Sequence, residues 1–363
     1  MKSLSRLAIA GLFGGLTLGA GVAGDVKTSE EAPRIDADTK EGVNGYKMPN
    51  FPIGPFKKYE GNPIMSPDKD HKFEEAHLYN PTAIVLDEKV FLLYRAQNND
   101  LESSIGLAWS EDGYHFTRLN RPIIHATEPW EKAGGTEDPR IIRKDGKFYV
   151  TYTGYDNTTA RLCLATSDDL LDWKKYEPIV PNHYEMFRDE NSVPGVRLNS
   201  SKSGAIIPEK DKNGSYNMIF GDSYLHVAKS KDLIHWETNP ADPPWASGVY
   251  LWENMLIESG PAPIKANAPG NKYIFIYNAA TLGNGKYTKN QYSTGQMLID
   301  YDNFDNGPLA RLETPILEVT EDNERNGLVD NVVFSEGLVQ FKNKWFLYFG
   351  QGDSDLGVAT APV

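Results

Sequence analysis

Four carboxylate side chains lie where short apolar runs of the sequence begin or end. They are Asp138, Asp222, Glu258 and Asp353, and each stands close to a glycine or a proline. Two carboxyl groups on either side of a sugar are what acid–base cleavage of a glycosidic bond requires. Singly, each has an ordinary explanation, because Asp after Gly or before Pro is common in turns. The functional hypothesis therefore depends on these carboxylates meeting at one face of the fold.

Other kinds of site have little support in the sequence. It contains no glycine-rich phosphate loop, its seven histidines are scattered, and its acidic turns lack the ligand spacing of an EF-hand. Cys163 is the single cysteine, so no intramolecular disulfide can form. The sequence therefore predicts neither a metal site nor a cofactor. The net charge of −13 argues against nucleic acid and anionic membranes as partners and favours neutral ligands such as sugars.

A three-part unit occurs five times along the chain. Each unit has a short apolar run, a strand-like stretch with aromatic residues, and a further strand ending in small residues. The apolar runs are 83–86, 140–142, 205–207, 261–264 and 337–339, and the aromatic stretches are 91–94, 148–152, 216–220, 273–277 and 345–349. A repeat of roughly 50–70 residues with several short strands is typical of a β-propeller. The sequence thus predicts an all-β fold, a five-bladed β-propeller.

The ends of the repeats indicate how the ring would close. Three units continue into turns of the form Ser-x-Asp, beginning at Ser110, Ser167 and Ser230, and an aromatic residue then opens an outer strand. The fifth unit lacks this outer strand, whereas residues 56–59 near the N-terminus have its pattern. We therefore expect an N-terminal outer strand to close the ring and remove a free sheet edge.

The N-terminal residues have the composition of an export signal. Lys2 and Arg6 precede an apolar run, 7–23, that is rich in Gly and Ala. We predict a signal peptide over 1–24, a loose polar lead-in over 25–50 and a propeller catalytic domain over 51–363. No cysteine lies near the cleavage region, so the pattern favours a secreted or periplasmic protein without membrane insertion rather than a lipoprotein.

In a propeller, the entries to the inner strands and the turns between second and third strands share one face. Asn80, Asp138 and Glu258 precede inner strands, as do Glu137, Asp330 and Asn331. The turns contribute Arg95, Gln97, Tyr155, Asp156, Asp222, Asn278 and Asp353. Carboxylates, amides and aromatic rings would thus surround one opening, which suits a sugar.

The sequence resembles glycoside hydrolase family 130, which comprises five-bladed propellers acting as β-mannoside phosphorylases and inverting β-mannosidases. The resemblance covers nearly everything from residue 51 onward. It rests on Asn80-Pro81, Leu93-Tyr94-Arg95, Ser104-Ile105-Gly106, Gly134 to Ile141, Glu258 to Pro261, Asn331 to Phe334 and Tyr348 to Asp353. It implies that Asp138 is the catalytic acid and that Asn80, Arg95 and Asp353 hold the mannose whose bond is cleaved.

One departure from the family pattern bears on the reaction. Phosphorylases of the family place a His-Arg type pair at the second-to-third turn of blade three, where this chain has Gly221-Asp222-Ser223. A carboxylate there would repel phosphate and could activate water. The resemblance therefore implies the hydrolytic branch.

The resulting hypothesis is a secreted, inverting, exo-acting β-mannosidase that acts on β-1,2-linked mannooligosaccharides. Asp138 would be the acid and Glu258 the base, with Asp222 as helper or rival base. The predicted substrate-binding residues are Asn80, Arg95, Ser104, Arg140, Tyr155, Lys202, Asn278 and Asp353. Two alternatives stay open: a phosphorylase that produces mannose 1-phosphate and uses Lys202 and Arg197, and a glycan-binding propeller without activity. Linkage preference and oligomeric state are not determined by these patterns.

Overall fold

The computed structural model describes residues 26–189 and 191–363. The predicted signal peptide, 1–24, lies outside the described residues. The fold is all-β, and two short strands come first: β1 (Lys27–Ser29) and β2 (Lys57–Lys58). Within the described ranges, no helix has the length and apolar character needed to cross a bilayer.

Five antiparallel sheets follow within these described residues, and most neighbouring strands in each sheet are consecutive in the chain. Sheet one contains β3 (His77–Leu86), β4 (Lys89–Gln97), β5 (Ser103–Ser110) and β6 (Thr117–Leu119). Sheet two contains β7 (Gly135–Lys144), β8 (Lys147–Tyr155), β9 (Ala160–Ser167) and β10 (Lys174–Lys175). The two are joined by one parallel bridge between Ser103 and Gly135.

A hairpin absent from the other units separates sheets two and three. It is formed by β11 (Tyr184–Arg188) and β12 (Pro194–Leu198). Sheet three then contains β13 (Ala205–Ile206), β14 (Tyr216–Phe220), β15 (His226–Ser230) and β16 (Trp236–Glu237). The sequence repeat did not predict this insertion.

Sheets four and five come last in the chain. Sheet four contains β17 (Leu256–Ser259), β18 (Ile264–Lys265), β19 (Lys272–Ala280), β20 (Tyr292–Asp300) and β21 (Pro308–Arg311). Sheet five contains β22 (Val333–Phe341), β23 (Lys344–Gln351) and β24 (Asp355–Pro362). The connections hold one α-helix, α1 (Asp322–Arg325), and 3₁₀ helices at Lys72–Glu74, Pro129–Glu131, Leu251–Glu253 and Tyr301–Asn306.

The second strand of each sheet has apolar side chains on both faces. It therefore packs against the sheets on either side, and the contacts between neighbouring sheets form a closed cycle. Neighbouring residues of a strand point to opposite faces, so each apolar strand can pack on two other sheets. Five apolar clusters result, one between each pair of neighbouring sheets. They include Leu93 with Val150 (sheets one and two), Leu164 with Met218 (two and three), Ile219 with Phe275 (three and four), Ile276 with Leu347 (four and five) and Phe346 with Leu92 (five and one). Each sheet therefore buries both faces.

The N-terminal strand completes sheet five. β2 pairs antiparallel with β24, with Lys57 opposite Thr360 and Lys58 opposite Ala359. This is the pairing that the pattern at residues 56–59 predicted. It covers the outer edge of β24 with a strand that comes from the other end of the chain.

The lead-in is not loose, in contrast to the expectation from its polar composition. β1 pairs in parallel with β6 and extends sheet one. Further along, Gly42 donates its backbone N–H to Val85, and Lys47 donates to the side chain of Gln340 in sheet five. Ile35 is buried in the cluster between sheets one and two. Polar composition did not reveal this order because backbone groups make most of these contacts.

A fully buried glutamate precedes the inner strand of four sheets and is neutralised in the same way each time. The four are Glu74, Glu131, Glu253 and Glu324. A Tyr or Gln of the second strand donates to each carboxylate: Tyr94, Tyr152, Tyr277 and Gln351 respectively. A cation of the outer strand then pairs with it: Arg118, Lys175, Arg311 and Lys58. In sheet five this cation comes from β2, so the strand that completes the sheet also neutralises Glu324.

Replacing Lys58 with Met should therefore destabilise the protein strongly. The Lys58 Nζ lies 2.6 Å from an oxygen of Glu324, whose side chain is 0% exposed. Loss of one partner of a buried ion pair typically costs about 3–5 kcal/mol, because the other charge stays buried. The control is Lys57→Met, which removes an exposed pair with Glu60 and should change stability little. Chemical denaturation curves of both variants measure this, and equal losses would contradict the role assigned to Lys58.

Candidate active site

Two inner strands carry the same local irregularity at the centre of the molecule. In β3 the register shifts between Tyr79 and Thr82, and in β7 it shifts between Glu137 and Arg140. The extra residues are an Asn-Pro and an Asp-Pro pair, and Asn80 and Asp138 have φ angles of 50° and 53°. Asn and Asp tolerate this left-handed region, and proline needs no ladder partner for its nitrogen. The two bulges bring the side chains of Asn80 and Asp138 together.

Asp138 is almost fully buried and has three polar neighbours. Asn80 donates to its Oδ1 at 2.8 Å, Arg95 donates to the same oxygen at 3.1 Å, and the Lys202 Nζ lies 4.0 Å from Oδ2. Burial favours the neutral acid, but Arg95, Lys202 and the Asn80 hydrogen bond outweigh it and lower the pKa of Asp138 to about 2. The residue predicted to be the proton donor is therefore ionised at neutral pH in this structure.

Arg95 holds a second carboxylate besides Asp138. It pairs with Glu137 at 2.6 Å, donates from Nε to Ser103 at 2.9 Å, and lies over the ring of Tyr79. The predicted substrate-binding residue Ser104 is buried, but it lies opposite Ala96 in the ladder. Because side chains alternate along a strand, Ser103 and not Ser104 contacts Arg95.

Glu258 lies on β17 and shares a cation with Asp138. Its Oε1 is 3.1 Å from the Lys202 Nζ and accepts a short hydrogen bond from Ser203. Burial raises the pKa of Glu258, Lys202 opposes this, and the charge of Asp222 adds to the rise. Lys202 thus stands between the predicted acid and the predicted base.

Asp222 is held by the inserted hairpin. Arg197 on β12 donates from Nη1 to both Asp222 oxygens, at 3.1 and 2.9 Å. Burial would raise the pKa of Asp222, but Arg197 and Lys202 outweigh burial and lower it. This carboxylate is therefore ionised and oriented by a residue that the sequence repeat does not contain.

Asp353 and Tyr155 lie at the turns where the sequence placed them. Asp353, with a φ of 51°, lies between β23 and β24. Burial raises the pKa of Asp353 to about 7, although Arg95 opposes the rise. Tyr155 ends β8, and Gly134 leaves the space that its ring occupies.

Arg140 and Asn278, both predicted to bind substrate, instead tie inner strands together. Arg140 donates to the carbonyls of Asp138, Ser259 and Gly260 and pairs with Glu336 at 2.8 Å. Asn278 donates to the Ser335 carbonyl at 2.9 Å and accepts from the Ser335 N–H and from Thr294. The structure thus assigns both residues a structural role, and substrate binding by them stays a prediction. Their polar groups satisfy buried backbone atoms of neighbouring sheets.

Glu336 is a central carboxylate that sequence reasoning missed. It is fully buried on β22, where the ladder shifts register between Ser335 and Gly337. Burial raises the pKa of Glu336 well above its ordinary value, although Arg140 opposes this. A Glu followed by Gly inside an apolar inner strand was the available signal. It indicates a bulge that turns the side chain away from the ladder.

The described residues thus bring Asp138, Glu258 and Asp222 together with Asn80, Arg95, Lys202 and Asp353 around one centre. Two carboxylates facing a common cation, with amide and guanidinium donors beside them, can hold hydroxyl groups and transfer protons. The buried Oδ1 of Asn80 has no hydrogen-bond partner among the described residues, so it can accept one from a sugar. The predicted acid, both base candidates and four predicted binding residues therefore share one site.

Comparison with known proteins places this centre in a family. The sequence model of glycoside hydrolase family 130, described as beta-1,4-mannooligosaccharide phosphorylase, matches residues 47–363. A beta-1,2-mannobiose phosphorylase from Thermoanaerobacter sp. (strain X514) is 33% identical over 83% of this chain and 95% of its own length.

Solved structures extend the comparison. A glycosyl hydrolase from Bacteroides ovatus has a TM-score of 0.76 and 31% identity, over 87% of this chain and 97% of that one. A structure described with glycoside hydrolases of this family that target beta-1,2 mannosidic linkages in Candida mannan has a TM-score of 0.75 and 30% identity, over 88% of this chain and 96% of that one. The chain belongs to glycoside hydrolase family 130.

Proposed function

We propose that this protein is an inverting, exo-acting glycoside hydrolase that releases mannose from β-1,2-linked mannooligosaccharides. Family membership supports a β-mannoside substrate, and the names of the relatives support the β-1,2 linkage. We further infer that the five sheets are the blades of a five-bladed β-propeller, because their apolar clusters form a closed cycle. The composition of residues 1–24 supports export from the cytoplasm.

Hydrolysis is favoured over phosphorolysis because the two cations nearest the base candidates, Asp222 and Glu258, are already paired with those carboxylates. Arg197 is bound to both oxygens of Asp222, and Lys202 lies 3.1 Å from Glu258. A phosphate would have to compete with these carboxylates and would meet their negative charge. Water is neutral and meets no such repulsion.

The directions of the pKa shifts support Glu258 as the base. A general base works best when its pKa approaches the operating pH, and burial raises the pKa of Glu258. Asp222 has a lowered pKa and a bidentate partner, so it is a weaker base. It suits the task of orienting the attacking water and keeping a negative charge beside Glu258.

Asp138 can become an acid only when substrate changes its surroundings. Asn80 and Arg95, which lower its pKa, are also the residues expected to bind mannose hydroxyls. If the sugar takes over these donors, Asp138 loses their stabilisation and its pKa rises. Lys202 keeps Asp138 and Glu258 within 4.0 and 3.1 Å of one nitrogen. The Asp138 Oδ2 and Glu258 Oε1 atoms can therefore lie no further apart than the sum of these distances, an upper limit that falls within the lower part of the roughly 6.5–9.5 Å range of inverting enzymes.

Phosphorolysis is the second candidate because a relative named as a beta-1,2-mannobiose phosphorylase is 33% identical to the chain over 83% of its length. The site also contains two cations that could bind phosphate if their carboxylate partners were protonated. The products distinguish the two reactions. Hydrolysis of mannobiose gives two molecules of mannose, whereas phosphorolysis gives one mannose and one mannose 1-phosphate.

Incubation with β-1,2-mannobiose should give mannose at the same rate with and without inorganic phosphate. The reason is that the cations near Glu258 are already neutralised. Ion chromatography of the products measures both species. Mannose 1-phosphate as the main product, with turnover dependent on phosphate, would show that the protein is a phosphorylase.

Glu258→Gln should lower kcat by a factor of ~10² to 10⁴, the usual contribution of a positioned general base. Asp222→Asn should cost less, because it would lose orientation of the water but not the base itself. Glu209→Gln is the matched control, since Glu209 pairs with Lys265 and Tyr273 outside the site and is half exposed. Initial rates at saturating mannobiose compare the three. A nearly silent Glu258→Gln beside an inactive Asp222→Asn would exchange the two assignments.

Asp353→Asn should flatten the dependence of stability on pH. The folded pKa of Asp353 is about 7 and its unfolded value is 3.8, so between these values the folded protein keeps a proton that the unfolded chain has lost. Stability must then fall as pH rises through this window, by at most about 1.4 kcal/mol per pH unit from this group. Denaturation curves of both proteins from about pH 4 to pH 8 give the two slopes. Identical slopes would mean that Asp353 does not hold this proton.

A further inference from the structure

Three side chains of metal-binding type meet beside Asp222, two from one short segment and the third from a distant strand. His183 and Glu185 lie at the start of the inserted hairpin, and His226 is the first residue of β15. One ligating atom from each lies within 4.8 Å of the other two. His183 Nε2 is 3.6 Å from a Glu185 oxygen, and the two imidazole rings are 4.7 Å apart at an angle of 70°.

These groups are buried and have few polar partners. His183 and Glu185 are each 1% exposed and His226 is 7% exposed. Among the described residues, no hydrogen bond reaches either ring nitrogen of His183 or Nε2 of His226, and no side chain donates one to the Glu185 carboxylate, which has only the backbone N–H of Tyr224 near it. Unpaired buried polar groups are costly and rare, and so many in one cluster call for a bound partner.

The other sheets indicate which partner is missing. Each fully buried glutamate that precedes an inner strand has a Lys or Arg of the outer strand against it. Glu185 precedes the inner strand of sheet three, yet within the described residues no Lys or Arg lies at ion-pair distance from it. Sheet three also presents the ring of Phe220 to His183, at 4.8 Å, and this ring carries no hydroxyl donor. A cation from solution can neutralise Glu185.

We propose that His183, Glu185 and His226 bind a zinc(II) ion, which fastens the inserted hairpin to sheet three. Two imidazole nitrogens and one carboxylate oxygen form a known zinc ligand set that leaves one coordination position open. Ligand atoms around tetrahedral zinc lie roughly 3.4 Å apart, so the widest pair here would have to close by roughly 1.4 Å at most.

The zinc ion would position a residue of the active site. The hairpin that carries His183 and Glu185 also carries Arg197, which binds both oxygens of Asp222. Fixing one strand of the hairpin to sheet three limits the movement of the other. The metal therefore holds Arg197 against Asp222, and this positioning role is independent of whether water or phosphate attacks the sugar.

Metal analysis of the full-length protein tests the site. After dialysis against a chelator, incubation with zinc and removal of excess metal, the wild type should retain about one zinc per chain. His226→Gln and Glu185→Gln should each lower the zinc affinity by about a hundredfold or more, since even residues that only orient ligands contribute 10–100-fold. His235→Gln is the control, because His235 is an exposed histidine of the same sheet that contacts Asp232. It should bind zinc like the wild type.

Thermal unfolding gives a second readout that does not depend on activity. Zinc should raise the Tm of the wild type and of His235→Gln but not that of Glu185→Gln. Without metal, Glu185→Gln should be at least as stable as the wild type, because it removes an unpaired buried carboxylate. A wild type that retains no zinc after chelation and reloading would overturn the proposal. So would ligand variants that bind zinc as tightly as the wild type.

Discussion

The centre of this molecule is organised by the need to neutralise several buried carboxylates. Asp138, Asp222, Glu258, Glu336 and Asp353 all lie there, and the cations near them are Arg95, Arg140, Arg197 and Lys202. Burial penalises every unpaired charge, so the position of each cation decides which carboxylates are ionised. Asp138 and Asp222 receive the strongest pairing and have lowered pKa values, whereas the other three have raised ones. The division of roles between acid, water-orienting group and base follows from this distribution.

Buried carboxylates outside the centre are also neutralised by cations, in the same way in four of the five sheets. In four sheets a buried glutamate is matched by a cation of the outer strand, and in sheet five that cation arrives on β2. Sheet three departs from this pattern, and it is preceded by the inserted hairpin. That hairpin carries Arg197, which donates hydrogen bonds to Asp222. Sheet three and the hairpin before it thus position Asp222, one of the two base candidates.

The sequence predicted the features of the fold whose signals are local. Apolar runs, aromatic stretches and Ser-x-Asp turns each reflect one strand or turn, and in the structure Ser110 bonds Asp112 while Ser230 bonds Asp232 as expected. The N-terminal outer strand was also predictable, because its pattern matches that of the other units. The lead-in was not, since its order depends on backbone pairing with residues such as Val85.

The placement of site residues was predicted where their position in the repeat determines which face of the fold they lie on. Their contacts were missed where the contacting residue is distant in the sequence. Asn80, Asp138 and Glu258 meet as expected. Whether a polar side chain contacts a neighbouring strand depends on packing, so the contacts of Asn278 and Arg140 with neighbouring strands could not be predicted from the sequence. Glu336 directly precedes the apolar run 337–339, and the bulge that directs its side chain away from the ladder was not foreseen.

The stereochemistry of the first product tests the central claim, that Asp138 and Glu258 act from opposite sides of one sugar with water between them. Proton NMR spectra recorded during the first minutes of β-1,2-mannobiose cleavage distinguish the anomers of the released mannose before they interconvert. Direct attack by water inverts the β linkage, so α-mannose should appear first. β-Mannose as the first product would mean that a carboxylate attacks the sugar itself, and it would contradict the arrangement proposed for this site.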